Sequence, residues 1–199
     1  TVELGKQTLP VSTTANPLGY LKYTYTASEI QPDMLNADIT QTTDSPSWGG
    51  LYLQYFEKFD QVQQQKGILS VTKKLFIEKI GSDGKQELLP LGKEKLKTGD
   101  KVITRLTLSL KQDMDFLYLK DFRAACFEPI GQLSGNQWKF GTVYYEESKD
   151  AVTNFFFNSL AKGTYVLEYP VWVNQAGTYQ DGIATFQSMY APEYTAYSE

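Results

Sequence analysis

The sequence predicts an all-β chain built as antiparallel β-sandwich, and three observations carry that prediction. The chain is rich in aromatics, with 14 Tyr and 11 Phe, residues that favour half-buried pleated surfaces. Short β-like runs recur with turn residues about every 8–12 positions, the spacing of sandwich strands. No long stretch shows the 3.6-residue apolar period of a helix.

The runs follow in order. Tyr20-Leu21-Lys22-Tyr23-Thr24-Tyr25-Thr26, opened by Pro17 and Gly19, alternates partly and reads as a strand. Asp38–Thr42 reads as a second. Leu51-Tyr52-Leu53-Gln54-Tyr55-Phe56, introduced by Gly49-Gly50, reads as an aromatic strand buried on much of both faces. Together these three are expected to form one small sheet. The polar stretch from Glu57 to Gln65, with Lys66-Gly67 after it, reads as a linker.

A second series begins at Ile68. Ser70–Phe76 runs into Leu75-Phe76-Ile77 and a Gly81-Ser82-Asp83-Gly84 turn. From Val102 to Leu110, the residues Val102, Thr104, Leu106, Leu108 and Leu110 share one face, and Arg105, Thr107 and Ser109 the other. That is the pattern of an antiparallel strand wet on one side. Phe116–Leu119, Gly141–Tyr145, Asn154–Phe157, Gly163–Val173 and Gly182–Met189 complete the series. Ala161-Lys162-Gly163-Thr164 is a tight turn, and Pro170 predicts a bulge or an edge in the longest strand. Phe155, Phe156 and Phe157 cannot all point inward, because neighbours on a strand alternate.

Composition narrows the function classes. The chain has 41% hydrophobic and 21% charged residues, ordinary globular values. A net charge of −4 with scattered Lys argues against nucleic acid. No apolar run approaches the roughly 18 residues of a membrane span. Thr1 opens on polar, strand-like sequence without a signal-peptide pattern, so the chain is expected to be cut from something longer.

The sequence contains no histidine, which removes Ser-His and Cys-His nucleophile pairs, His-based zinc sites and imidazole acid–base work. Carboxylate chemistry is what remains. Asp113/Asp115 and Glu146/Glu147 fall at turns and strand ends and read as solvated surface. The lone Cys126, in an apolar stretch, reads as a small core residue. Phosphate loops, calcium loops and Cys-x-x-Cys pairs are missing from the sequence, so no cofactor is expected and the chain is not expected to be an enzyme.

Several segments, taken in order, resemble the last macroglobulin domain of bacterial alpha-2-macroglobulins. They are Gly99-Asp100-Lys101-Val102, Asp113-Met114-Asp115, Leu119 to Pro129, Leu133-Ser134-Gly135, Lys149-Asp150-Ala151, Asn154-Phe155-Phe156-Phe157 and Leu160 to Tyr165. Gly182 to Gln187 and Met189 to Glu193 close the set, which spans residues 68–199. The Arg-Ala-Ala-Cys and Met-Tyr-Ala-Pro-Glu runs are most similar to forms from Bacteroidetes. Leu18-Gly19-Tyr20, Ile30 to Met34 and Trp48 to Tyr52 resemble the stretch that, in this family, follows the thioester domain and completes a CUB-like sandwich.

The resemblance implies three regions: residues 1–60 as a partial CUB-like sheet, 61–67 as a linker, and 68–199 as the terminal macroglobulin sandwich with a fibronectin-like arrangement. It implies a non-catalytic part of a broad-spectrum protease trap that packs against the thioester domain and shields its reactive bond. Its partners would be neighbouring domains of the parent and, through the parent, target proteases. Its location would be the periplasm or cell envelope. Met189, Tyr190 and Pro192 are the candidate shielding surface. This chain has no Cys-x-Glu-Gln thioester motif; Cys126 precedes Phe127-Glu128-Pro129. Arg123 and Asp121 are either a contact to a neighbouring domain or a loop brace. The alternative reading is an envelope module for glycan binding or adhesion, with Trp48, Trp138 and Trp172 as the sugar-stacking aromatics.

Overall fold

The computed structural model describes all residues except 11–20, 43, 45, 47, 59, 60, 65, 66, 93, 94, 132, 140 and 199. The described chain carries fourteen strands, one 3-10 turn and no α-helix. It divides into two compact units, Thr1–Tyr55 and Phe56–Glu199.

The first unit holds a three-stranded antiparallel sheet. Strand β1 (Val2–Leu4) lies between β2 (Gln7–Leu9) and β3 (Ala37–Ile39). Gly5, at φ +60°, closes the β1–β2 turn where a side chain would strike Asp33. The sheet buries only Leu4 and Leu9 as apolar core. Its composition departs from expectation in two of three strands. Residues 21–26 form no strand, and Tyr20 with the Pro17–Gly19 opening lies outside the described residues. Leu51–Phe56 is irregular and open, with Phe56 at 103% exposure, rather than a buried strand. Three strands of three residues offer too little apolar surface to bury a segment that carries two leucines and two tyrosines in this unit.

The second unit is a sandwich. Its back sheet runs in the order β5 (Gln86–Pro90), β4 (Leu69–Ile80), β6 (Lys101–Leu110), β12 (Gly163–Val173), β8 (Phe127–Pro129). The front sheet runs β14 (Thr195–Tyr197), β13 (Ala184–Ser188), β7 (Met114–Phe122), β11 (Val152–Leu160), β10 (Thr142–Ser148), β9 (Gly135–Lys139). All assigned pairings are antiparallel. Alternation places Leu69 and Val71 of β4, Val102, Leu106, Leu108 and Leu110 of β6, and Leu167, Tyr169 and Val171 of β12 inward from the back sheet. They meet Leu117 and Leu119 of β7, Phe155 and Phe157 of β11, and Phe186 of β13. Thr104 shares the buried face of β6, as its spacing predicts.

Pro170 sits opposite Ile103 in a continuous β12–β6 register, so β12 carries no bulge there. Its carbonyl accepts from Ile130 N on the β8 side, and the β12–β8 ladder begins only at Val171. A strand residue aims its nitrogen and its carbonyl at the same neighbour. The missing N–H therefore points to the β8 side, just beyond the end of that ladder, and costs no bond to β6.

Candidate interface site

The β13–β14 hairpin presents the predicted surface. Ser188 N donates to Tyr194 O at 3.0 Å, Tyr194 N to Ala191 O at 2.9 Å, and Ala191 N to Ser188 Oγ at 3.3 Å. Thr195 Oγ1 donates to Pro192 O at 2.6 Å. With the backbone tied inward, the side chains of Met189, Tyr190 and Pro192 face solvent, Met189 at 48% and Tyr190 at 78% exposure.

The hairpin is also pinned to β7. Met189 N donates to Phe116 O at 2.9 Å, and the Phe116 and Tyr190 rings meet edge to face at 5.3 Å. Phe116 holds φ at +52°, where a Cβ is disfavoured by about 1–2 kcal/mol. A half-exposed aromatic is thus held in a costly conformation against an exposed tyrosine. Phe116 is not singled out by local pattern, because positive φ and a ring contact 74 positions away leave no trace in the neighbouring residues.

Asp121 and Arg123 do not form an interface. Both are buried, on separate partners. Arg123 donates to Thr153 Oγ1 and to the carbonyls of Lys149 and Asp150, the latter at 3.0 Å, and so braces the β10–β11 turn. Asp121 accepts from Tyr169 O–H and lies 3.0 Å from Lys73 Nζ, a cation reaching across the sandwich from β4. Burial, opposed by Lys73, pushes the Asp121 carboxyl up to about 6. Burial and the Asp121 charge hold the Tyr169 phenol well above its ordinary value.

The remaining candidates sort by face. Glu146 is not solvated surface. Its position, two residues from buried Tyr144, turns it inward, and desolvation raises its carboxyl, with Lys139 opposing. Glu147 accepts from Asn154 Nδ2 at 2.8 Å, and Asp113 from Lys162 N at 2.7 Å in the β11–β12 turn. Cys126 is a buried thiol whose pKa burial raises, as a small core residue should show. Phe155 and Phe157 point into the core, and Phe156 points out and stacks on Tyr118 at 4.9 Å. Trp138, 80% exposed, lies on the outer face of the front sheet, and Trp172 on the outer face of the back sheet. Opposite faces cannot offer one sugar-stacking platform, and Trp48 belongs to the other unit. Among the described residues no cluster of His, Cys, Asp and Glu is arranged for a metal, and no helix is long and apolar enough to cross a membrane.

Residues 69–193 match the family model described as the bacterial alpha-2-macroglobulin MG10 domain, over more than half of the chain. The chain belongs to that family. Solved structures of similar fold include Salmonella and Escherichia coli alpha-2-macroglobulins. Salmonella alpha-2-macroglobulin reacted with methylamine is 19% identical, with a TM-score of 0.54, over 69% of this chain and 9% of that one. Native Escherichia coli alpha-2-macroglobulin from domain MG7 to the C-terminus is 19% identical, with a TM-score of 0.53, over 68% of this chain and 23% of that one. The trypsin-activated E. coli protein is 17% identical, with a TM-score of 0.51, over 68% of this chain and 10% of that one. The MG10 chain thus spans less than a quarter of each of these relatives. A search of curated proteins found no match.

Proposed function

We propose that this MG10 chain is a non-catalytic part of a bacterial alpha-2-macroglobulin-like inhibitor of proteases, and that it shields the parent's thioester region. Phe116, Met189, Tyr190 and Pro192 would pack on that region and keep water and nucleophiles from the reactive acyl group until a protease triggers rearrangement. The observation that carries this reading is the exposed hairpin itself. Its backbone is held at Ser188, Met189, Ala191 and Tyr194 while its apolar side chains face outward, and β7 holds an unfavourable backbone angle beside it. A rigid apolar platform loses little conformational entropy on docking, which suits a cover that must stay closed. The absence of histidine from the sequence agrees with a module that does no chemistry of its own.

On the same reading, residues 1–60 are half of a CUB-like sandwich completed by parent sequence, 61–67 a connection, and 68–199 the terminal macroglobulin domain. That reading accounts for the open Leu51–Phe56 segment, whose aromatics would find cover in the missing half. The parent would work in the periplasm or at the cell envelope against foreign proteases.

The test uses the parent protein. Tyr190→Ala, alone and with Met189→Ala, is compared with wild type for free thiol released without protease, and for uptake of methylamine. Faster thiol release with an unchanged unfolding midpoint is the expected result. Thiol release at the wild-type rate in both variants would overturn the shielding role.

A further inference from the structure

Four oxygens crowd one amine inside the sandwich. Lys73 Nζ donates to Phe122 O at 2.6 Å, to Gly182 O at 2.8 Å and to Asp181 Oδ1 at 3.0 Å, which uses all three of its protons. The fourth oxygen, Asp121 Oδ1, is also 3.0 Å away, yet it is fully buried and accepts no hydrogen bond. Its sister Oδ2 accepts from Tyr169 O–H. Both side chains of the Lys73–Asp121 pair are sealed from water, and Asp181 is about one-third exposed. A buried carboxylate oxygen that touches an ammonium without a hydrogen bond along it is unusual, since such groups are almost always hydrogen-bonded.

We propose that Lys73 and Asp121 condense to an intramolecular amide that covalently joins β4 of the back sheet to β7 of the front sheet. One ammonium proton passes from Nζ to the Asp121 carboxylate, giving an amine and a carboxylic acid with no change in net charge. Burial penalises two desolvated ions and so lowers the cost of that proton transfer. The Nζ lone pair attacks Asp121 Cγ and forms the C–N bond. Tyr169, donating to Oδ2, stabilises the charge that develops there. The Asp181 carboxylate takes a second proton from Nζ and passes it to the Oδ1 hydroxyl. The C–Oδ1 bond then breaks, and that oxygen leaves as water past the partly exposed Asp181 side chain. Nothing is oxidised or reduced. The departing atom is the one that the ion pair leaves unbonded, and Oδ2 stays on Tyr169 as the amide carbonyl.

The experiment is intact mass spectrometry of the purified, denatured 199-residue chain, followed by tryptic mapping. The expected mass is one water below that of the sequence, with cleavage after Lys73 blocked and a branched peptide joining the segments around Lys73 and Asp121. Lys73→Arg and Asp121→Ala restore the sequence mass. Asp181→Asn restores it too if that carboxylate relays the proton; water loss retained in this variant overturns the relay. A wild-type chain at full sequence mass, or cleaved normally after Lys73, overturns the amide itself.

Discussion

Single residues in this domain are decided by which side of a strand they occupy, and Glu146 shows how far that can depart from local appearance. It sits beside Glu147 in a run that reads as solvated, yet one carboxylate faces the core and the other faces solvent-side partners. The Glu146 carboxyl is raised by burial. A raised folded-state value means that the protonated form is favoured on folding. The contribution is therefore complete below the ordinary carboxylate pKa and is lost as pH rises through the elevated one. Glu146→Gln is expected to raise the unfolding midpoint at neutral pH and to leave it unchanged in acid. Thermal melts of the two chains at pH 4 and pH 7 check this, and an equal effect at both would refute the sign. The spacing of Val102, Thr104, Leu106, Leu108 and Leu110 announces its buried face, because five alternating positions agree. Two adjacent acids carry no such vote.

At the scale of elements, strands whose hydrophobic pattern is long were readable, and those that borrow their stability were not. Strands β4, β6, β7, β11, β12 and β13 appear where alternation and turn residues place them. Edge strands β5, β8, β9 and β14 went unseen, being short and polar or one-sided, and they exist because a neighbour already offers a ladder. The expected strands at 21–26 and 51–56 fail for the converse reason: strong propensity without a sheet to join. At the β7–hairpin contact, the positive φ of Phe116 yields a graded prediction. Phe116→Gly relieves the backbone and loses only a half-exposed ring, so the unfolding free energy should stay within about 1 kcal/mol of wild type. Phe116→Val, with a branched Cβ in a left-handed position, should cost about 1–2 kcal/mol more than Gly. Denaturant midpoints of the two variants rank them, and a Val chain as stable as the Gly chain would contradict the assigned backbone angle.

At the scale of the molecule, one core in the second unit holds the fold. The contiguous buried cluster runs from Leu69 to Ala196 and draws on both sheets of the sandwich. A chain of residues 56–199 is therefore expected to keep a cooperative unfolding transition and native near-UV circular dichroism. A broad, probe-dependent transition would show that the sandwich needs more than its own core. Composition and periodicity by themselves determined that this chain is antiparallel β-sheet, that its longest strands have one wet face, and that imidazole chemistry is closed to it. Ordered motifs pointed to its family. Only the tertiary structure decided the rest. It set Phe116 against Tyr190, turned Glu146 inward, gave Asp121 and Arg123 separate partners, and brought buried Lys73, Asp121 and Tyr169 together beside partly exposed Asp181. The physical reason is distance along the chain. Alternation is a local property that sequence spells out residue by residue, whereas a cross-sheet meeting of four strands and loops depends on register and closure, which no single segment encodes.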